Sequence, residues 1–407
     1  MTAVLIGAVM VVAGCSSGST NRTDGSARPA ASTASSAPSE SASAAGPLDT
    51  GTYATTARAP FGTANGDELP ELESQRLAEF VTLPQEIDNR FTQAALPFGA
   101  VVNTAAATDL LGGADAAAAA IGNKLIAGFY GSASAPKDKA DQSVASITHG
   151  VIRFKTPADA DRAGQAIYTA MLAARTDRFD NPQPAPQKVA IPTLAGSLVL
   201  RYSNPRLPGY TALTVHKSYL VVDQFVEPPT ENNAARALRR SLDLQIPLLD
   251  RFPATATGSG ANIVKDQNKV LIYALSNPNP RTALNDGVFG PRGFAFASDK
   301  PLEVVQQLQD AGAEHTAVAG TIVFRAATAQ KAQKLFSQRV AFFATDPAAS
   351  PQGLPSAKCI SDGATKNICW IVNGRYIGEA QNQDLKAAQQ AISAQYKVLL
   401  TADQNAN

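Results

Sequence analysis

Residues 149–174 read HGVIRFKTPADADRAGQAIYTAMLAA, and this stretch decides the fold class. The β-branched and aromatic residues at positions 151–154 predict a strand. Thr156 then suits a helix N-cap, Pro157 suits the first helical position, and Asp159 places a carboxylate at the third. Apolar residues continue the helix along one stripe, at Ala160, Ala163, Ile167, Met171 and Ala174. The stretch therefore predicts a strand that leads directly into an amphipathic helix.

The residues that follow predict a hairpin and a second helix. Residues 212–216 and 219–226 are rich in β-branched and aromatic residues and predict paired strands joined by a two-residue turn. Thr230 then suits the N-cap of a helix with one apolar face, and Pro247 is expected to end that helix.

The same order of elements recurs near the C-terminus. Residues 320–325 predict a strand, Thr328 opens a helix, and Asp384 opens the last helix of the chain. Between these helices, the pair Asn373-Gly374 lies between two apolar runs and predicts a hairpin with a type I′ turn. Strand, helix, hairpin and helix therefore occur twice.

This repetition predicts an α+β protein with two tandem βαββα-type domains, mainly antiparallel sheets and a shared origin by duplication. We expect Phe154 to be equivalent to Phe324, and Tyr219 to Tyr376. The alternative is that two domains acquired this common order of elements independently.

Five further segments carry local patterns. Residues 71–81 and 301–311 predict helices, and the alanine-rich residues 115–129 predict another. Residues 270–275 predict a strand, and the glycine-rich residues 289–293 predict a loop that leads into one more strand.

The N-terminus carries the signal of an exported, lipid-anchored protein. Residues 3–14 are an uninterrupted apolar run of 12 residues, too short for a spanning helix of about 20. The run ends in Val12-Ala13-Gly14-Cys15, which resembles the lipobox of bacterial lipoproteins and predicts cleavage before Cys15 and lipidation of its thiol. No Lys or Arg precedes the run, which departs from that pattern. The alternative is a buried core segment that ends in a cysteine.

The composition along the chain predicts four regions. Residues 1–14 are the signal peptide, and residues 15–47 are the lipidated cysteine with a disordered tether. In positions 16–47, 27 of the 32 residues are Ser, Ala, Thr, Gly or Pro. Residues 48–253 form an N-terminal α+β domain, and residues 261–407 form a C-terminal α+β domain.

The net charge and the numbers of His and Cys argue against two classes of function. The 407 residues include 35 Lys and Arg against 34 Asp and Glu, a formal net charge of +1, which disfavours nucleic acid as a partner. Three His and three Cys in the whole chain disfavour a zinc site with several such ligands. We expect neither a metal nor a cofactor.

Cys359 and Cys369 are the cysteines that follow the predicted signal peptide. An exported protein meets an oxidising compartment, so we expect a disulfide that contributes about 3 kcal/mol by the chain-entropy model. The alternative is a catalytic thiol, with His315 as the candidate base in this half of the chain.

The remaining residues that could act in catalysis or ligand binding do not form a known motif. His149, His216 and His315 lie at strand edges, and we expect partly buried polar roles rather than ligation. The acidic residues 67–73 predict a solvated helix start, with a carboxylate pair for glycoside hydrolysis as the alternative. Arg292, in a glycine-rich segment, is a candidate contact for an anionic headgroup.

Several blocks of the chain resemble a family of actinobacterial lipoproteins of unknown function. Residues 48–53 read LDTGTY and residues 72–81 read LESQRLAEFV, similar to that family's LDTGxY and LExQRxAE(F/Y)V blocks. Residues 149–154 and the hairpin at His216 are also similar. The resemblance implies separate N- and C-terminal domains, mycobacterial or nocardial relatives and a location in the cell envelope. It implies no catalytic residues.

These observations predict a cell-envelope lipoprotein at the outer face of the plasma membrane, held by its lipid anchor. We expect a non-enzymatic protein that binds an envelope lipid or a protein partner, because the sequence has no nucleotide loop, metal motif or nucleophile elbow in a strand–turn–helix context. The alternative is a hydrolase of envelope glycans or lipids whose carboxylates are scattered along the chain.

Overall fold

The structure is a computed structural model that describes most of the chain after residue 46. The described ranges are 47–64, 66–112, 114–136, 145–173, 175–176, 182–203, 208–226, 231–256, 262–277, 286–343, 346–363 and 366–405. The predicted signal peptide, the lipidation site at Cys15, the tether up to residue 46 and the predicted cap at Thr230 lie outside the described residues.

The first half of the chain forms a seven-stranded sheet. Its strands are β1 (Gln93–Ala100), β2 (Leu125–Ser134), β3 (Ser146–Phe154), β4 (Gln187–Val189), β5 (Ser197–Tyr202), β6 (Gly209–His216) and β7 (Tyr219–Val226). They lie in the order β1-β2-β3-β7-β6-β5-β4, and every neighbouring pair is antiparallel. A separate two-stranded ribbon pairs Arg175–Thr176 with Pro182–Gln183.

The second half forms another seven-stranded sheet. Its strands are β8 (Gly287–Phe289), β9 (Thr316–Val318), β10 (Ile322–Arg325), β11 (Asp346–Ala348), β12 (Lys358–Ser361), β13 (Asn367–Asn373) and β14 (Tyr376–Asn382). They lie in the order β8-β9-β10-β14-β13-β12-β11, again antiparallel throughout.

Helices connect and cover these strands. The α-helices are α1 (Leu69–Ala78), α2 (Pro84–Ile87), α3 (Asp115–Ala119), α4 (Pro157–Met171), α5 (Glu231–Arg251), α6 (Pro291–Ala295), α7 (Pro301–Ala311), α8 (Ala329–Phe342) and α9 (Leu385–Leu399). Short 3-10 helices lie at Gly66–Glu68, Ala105–Ala107, Gly122–Lys124, Pro192–Leu194, Gln267–Lys269 and Leu271–Tyr273.

The two sheets have the same topology, position by position, when seven is added to each strand number. Thr156 caps α4 through the N–H of Asp159, and Thr328 caps α8 in the same way. The α+β fold class with two tandem antiparallel sheets is therefore confirmed. The identical strand order is also what the duplication hypothesis requires.

The register corrects one of the two predicted equivalences. Arg153 lies opposite Tyr219 in the first sheet, and Arg325 lies opposite Tyr376 in the second. Tyr219 is thus equivalent to Tyr376 as predicted, and Arg153 is equivalent to Arg325. Phe154 is consequently equivalent to Ala326 rather than to Phe324. The strand pairing and the caps Thr156 and Thr328 place the equivalent residue two positions after Phe324.

Helices lie on both faces of each sheet. Ile152 of β3 lies in the same apolar cluster as Ile167 of α4, whereas the neighbouring Val151 faces the opposite way, in a cluster with Leu249 of α5. The second sheet has α8 on one face and α9 on the other. Each half therefore buries both faces of its sheet.

Three predicted segments have a different secondary structure. The predicted helix over residues 115–129 ends early, because β2 begins at Leu125 and pairs with β3. The predicted strand at residues 270–275 is replaced by 3-10 turns, since the carboxylate of Asp266 accepts the N–H groups of Leu271 at 2.7 Å and Ile272 at 2.9 Å. The strand expected after residues 289–293 is instead α6, whose first turn carries a proline.

Two predicted boundaries also change. Helix α5 continues through Pro247 to Arg251, and the residues beyond the proline are fixed by the burial of Leu249 and Phe252 in the core. In the second hairpin the turn residues are Gly374 and Arg375, one position later than predicted. Gly374 adopts φ +57°, which suits the first central position of the turn.

Helix α1 lies where the two halves meet. It packs on β2 of the first sheet and also contacts β8 and α6 of the second half. Leu77 and Ala78 are fully buried in the same apolar cluster as Phe294. The two halves therefore share a hydrophobic core.

Phe296, just after α6, strengthens this junction. Its ring lies 5.0 Å from the ring of Phe129 between centroids, and a Cβ at Gly131 would come within 2.3 Å of it. Glycine at position 131 therefore leaves the space on β2 that Phe296 fills.

Residues 47–64 run along the second half, although they precede the first half in sequence. Tyr53 packs against the core of the second half, and the N–H of Arg58 donates to the carbonyl of Ile272 at 2.8 Å. At the start of this segment, Gln390 of α9 donates to the carboxylate of Asp49 at 2.9 Å. The beginning and the end of the described chain thus lie together.

Cys359 and Cys369 are joined by a disulfide. They lie opposite each other on β12 and β13, with 4.1 Å between their Cα atoms. Both sulfurs take part in the bond, which leaves no thiol for the nucleophile considered as the alternative.

Candidate functional site

An open cleft of about 590 Å³ lies between the two halves. The first half contributes the C-terminal part of α1 and the residues just after α5, Phe252 and Pro253. The second half contributes the turn before α6, the C-terminal end of α7 and the loop that follows it. Its lining residues are Gln75, Arg76, Glu79, Phe80, Phe252, Pro253, Gln267, Val288, Gly290, Pro291, Leu308, Gln309, Gly312, Ala313, Glu314 and His315.

The walls of the cleft are largely apolar. Phe80 and Phe252 lie with their ring centroids 5.2 Å apart on the first-half side. Val288, Pro291 and Leu308 line the second-half side. Apolar groups of a ligand can therefore be enclosed from both sides.

Gln75 places an unusual polar atom at this cleft. The residue is 3% exposed, and its Oε1 has no hydrogen-bond partner among the described residues. Its Nε2 lies 3.5 Å from the carboxylate of Glu71, at the limit for a hydrogen bond. A buried acceptor without a donor costs about 1–3 kcal/mol.

Glu79 joins α1 to the first turn of α6. Its Oε2 accepts the N–H groups of Arg292 at 2.7 Å and Gly293 at 3.2 Å. A Cβ at Gly290 would lie 2.3 Å from this oxygen, so the close approach requires glycine there. Burial raises the pKa of Glu79 above its ordinary value, although these backbone donors oppose the shift.

The guanidinium of Arg76 is engaged by partners within the protein. Its Nη1 donates to Glu73 at 2.7 Å and to Thr255 at 2.9 Å, and its Nη2 donates to the carbonyl of Pro253 at 2.7 Å. Glu73 also pairs with Arg153 of β3. We refer to Glu73, Arg76, Arg153 and Thr255 as the Glu73 network.

His315 presents a neutral ring to the cleft. Its Nδ1 lies 2.7 Å from Nδ2 of Asn268, an amide nitrogen that can only donate, so Nδ1 accepts and Nε2 carries the hydrogen. Burial lowers the pKa of His315, which favours the same neutral form. Besides Arg76 and Glu79, the cleft is thus lined by apolar groups, amides and a neutral imidazole, with Glu314 exposed beside His315.

The structure separates the three histidines. His149 is fully buried between Asp223 and Gln245, whereas His216 lies 2.7 Å from the carboxylate of Asp250 near the surface. Of the three, only His315 lines the cleft.

Two expectations about charged residues are wrong. Glu73 is fully buried in the Glu73 network, so the acidic stretch is not simply a solvated helix start. Arg292 is not free for a headgroup, because it pairs with Glu86 and its side chain is 18% exposed. Both corrections come from partners distant in sequence.

Gln75 and Glu79 were missed as site residues. They lie within the block that carries the family resemblance, but a glutamine and a glutamate on an amphipathic helix give no local signal of a cleft. The described residues contain no group of three or more His, Cys, Asp or Glu placed to hold a metal ion. Nor does any described helix have the length and hydropathy to cross a membrane.

Comparisons with known proteins identify two matching family models. One is described as "Domain of unknown function (DUF7373) N-terminal" and matches residues 60–263, and the other is described as its C-terminal counterpart and matches residues 263–402. No curated protein matches the chain.

Among solved structures, the chain is similar to the extracellular domain of PknH from Mycobacterium tuberculosis. The identity is 11%, and the match covers 44% of this chain and 97% of that chain, with a TM-score of 0.29. A likeness at this level carries no argument about function.

Proposed function

Because the chain belongs to the DUF7373 family, an uncharacterised family with an N-terminal and a C-terminal domain, we propose its function from the geometry of its own cleft. The protein is a non-enzymatic binding protein of the cell envelope. It takes an envelope lipid, or a segment of a protein partner, into the cleft between its two halves.

The observation that carries this proposal is the unpaired Oε1 of Gln75 beside apolar walls from both halves. Ligand pockets characteristically combine apolar walls with a few polar groups and occur preferentially between domains. The donors of Arg76 are already engaged by Glu73, Thr255 and the carbonyl of Pro253, so the proposed ligand has an uncharged enclosed part that offers a hydrogen-bond donor to Gln75.

The alternative is a hydrolase of envelope glycans or lipids. One observation favours it: Glu79, whose pKa is raised by burial, lines the same cleft as His315 and Glu314. A carboxylic acid with a raised pKa is suited to general acid catalysis. Against this, one oxygen of Glu79 already accepts two backbone N–H groups of α6, which is a structural role.

Replacing Gln75 with leucine tests the binding function. Protein purified from its own envelope is expected to carry a non-covalent adduct in native mass spectrometry, and Gln75→Leu is expected to weaken its retention about tenfold, the value of one hydrogen bond. The ligand-free variant is expected to be at least as stable as the wild type, because the substitution removes a buried acceptor that has no donor.

Gln389→Leu on α9 is the matched control, since Gln389 is half-buried outside the cleft and its side chain bonds only to the carbonyl of Ala349 among the described residues. Equal loss of the adduct in both variants, or no adduct in the wild type, would contradict the proposal. Turnover of envelope glycans or lipids that disappears in Glu79→Gln would establish the hydrolase instead.

We further propose that the protein is an actinobacterial lipoprotein held at the outer face of the plasma membrane. The support is in the sequence: the apolar run at residues 3–14, the tetrad that ends in Cys15 and the tether rich in Ser, Ala and Pro. Two or three acyl chains on Cys15 would give a stable anchor, because each buried methylene contributes about 0.8 kcal/mol.

Lipidation predicts a defined mature form. Native protein is expected to begin at Cys15, to carry the mass of the acyl groups and to partition into detergent, whereas Cys15→Ala is expected to lose the acyl mass. A water-soluble native protein that retains Met1 would contradict this proposal and leave the cleft proposal untouched.

A further inference from the structure

A second depression, of about 500 Å³, lies on the first half away from the cleft. We call it the arginine groove. The turn after α2 and one face of α5 form it, and its lining residues are Ile87, Asp88, Asn89, Arg90, Asn233, Arg236, Ala237 and Arg240. None of them lines the cleft.

The groove carries an excess of positive charge. Arg236 and Arg240 are four positions apart on α5, so they project from the same face of the helix. Arg90 lies across from them, on the turn after α2. Among the described residues that line the groove, there are therefore three guanidinium groups and one carboxylate, that of Asp88.

Asp88 is already engaged by one of these arginines. Its Oδ2 accepts from Nη2 of Arg90 at 2.7 Å and from Nε at 3.0 Å. The pKa of Asp88 is lowered: burial raises it, but the hydrogen bonds and charge of Arg90, with the charge of Arg236, outweigh that effect. Asp88 thus stays ionised and balances one of the three cations.

The two α5 arginines that line the groove, Arg236 and Arg240, have no carboxylate within ion-pair distance among the described residues. Arg236 donates to the amide oxygen of Asn233, and neither Arg236 nor Arg240 forms an ion pair with a described residue. Both side chains belong to exposed residues, so they are accessible to a ligand. The lining thus holds two cations without a paired anion.

We propose that the arginine groove binds a phosphate ester. The guanidinium fork matches the oxygens of a phosphate, and two such groups from one helix face can hold one phosphate from the same side. Ile87 and Ala237 line the groove as buried apolar residues, and the volume exceeds what a bare phosphate needs. The ester is either a soluble molecule or the headgroup of an anionic phospholipid.

Calorimetric titration of the full chain at low ionic strength tests this site. The probes are glycerol 1-phosphate, for a soluble ester, and monomeric dihexanoylphosphatidylglycerol, for a lipid headgroup. Arg240→Gln is expected to weaken binding about tenfold, the loss of one charge-assisted contact, with an unchanged unfolding midpoint because the side chain is exposed. The probe that binds more tightly identifies the source of the phosphate.

Arg162→Gln is the matched control, since Arg162 is an exposed arginine on α4 and lines neither depression. It is expected to leave both affinities within about twofold of the wild type. The proposal is overturned if neither probe binds the wild type, or if Arg162→Gln weakens binding as much as Arg240→Gln does. Neither outcome depends on the cleft.

Discussion

Replacing Glu73 with glutamine is expected to lower the free energy of unfolding by about 3–5 kcal/mol. The Glu73 carboxylate is fully buried and forms ion pairs with two guanidinium groups, those of Arg76 and Arg153. It also accepts the hydroxyl of Thr255 at 2.7 Å and its N–H at 3.0 Å. Glutamine has no charge and presents two N–H donors to groups that are themselves donors, so the buried Arg153 and the partly exposed Arg76 lose their shared counter-ion.

Denaturant titration measures this loss, and Glu303→Gln is the matched control. Glu303 lies on α7 with a side chain that is 47% exposed, and its ion pair with Lys300 spans 3.8 Å. Exposed pairs of this kind contribute little, so the control is expected to unfold close to the wild type. A loss below about 1 kcal/mol for Glu73→Gln would contradict the role given to the network.

The same substitution is expected to affect the cleft. The Glu73 network ties α1 to residues 253–255, and Arg76 of this network holds the carbonyl of Pro253. Both elements line the cleft on its first-half side. We therefore expect Glu73→Gln, under conditions in which it remains folded, to retain the non-covalent adduct less than the wild type does.

Replacing Asp223 with alanine is expected to cost a similar 3–5 kcal/mol. Asp223 accepts from Nδ1 of His149 at 2.8 Å and from the hydroxyl of Ser241 at 2.7 Å, and all three residues are buried. The substitution removes the acceptor of both groups at once. Asp250→Ala is the matched control, because Asp250 pairs with His216 where both side chains are more exposed, and it is expected to leave the unfolding midpoint unchanged.

The charge of His149 follows from its neighbours. Oε1 of Gln245 is fixed as an acceptor, because it takes the N–H of Thr82 at 2.8 Å while Nε2 donates to the carbonyl of Phe80 at 2.7 Å. Both ring nitrogens of His149 thus face acceptors, Asp223 and Gln245, and both must donate. Burial lowers the pKa of His149, but the charge and hydrogen bond of Asp223, with that of Gln245, outweigh burial and raise it.

This raised pKa gives the stability a defined dependence on pH. A group whose pKa is higher in the folded state contributes its full stabilisation below its unfolded value, about 6.5, and loses it as the pH rises through the folded value. Between those two values, the unfolding free energy of the wild type is expected to fall by about 1.4 kcal/mol per pH unit from this group. Asp223→Ala is expected to lose that slope, and Asp250→Ala to keep it, when unfolding is measured from pH 6 to 9. A persistent slope in Asp223→Ala would contradict the charged pair.

Local sequence patterns predicted the elements whose determinants lie within a few residues. The caps at Thr156, Thr328 and Asp384 bond to N–H groups three positions away, so the residues that fix each helix start are adjacent in the chain. The two hairpins are equally local. Their repetition was enough to predict two domains of the same kind.

Distant partners decided the parts that were not predicted. Residues 125–129 carry a helical pattern but complete a ladder with β3, and the 3-10 turns after Asp266 form around a carboxylate that a strand pattern does not reveal. The cleft depends on Glu79 reaching the N–H of Arg292, 213 positions away. Contacts of that length leave no periodic signal in one sequence.

The packing of residues 47–64 on the second half has a consequence for how the chain is made. Asp49 leaves the ribosome early, yet its partner Gln390 is synthesised 341 positions later. Arg58 can bond to Ile272 earlier, but Asp49 gains its partner only when the last helix exists, and closing so long a loop is slow. A chain truncated before α9 lacks Gln390, so Asp49 has no such partner on the second half. The contact between the two ends is thus available only to a chain that includes α9, and a C-terminal truncation leaves the residues near Asp49 more accessible to proteases.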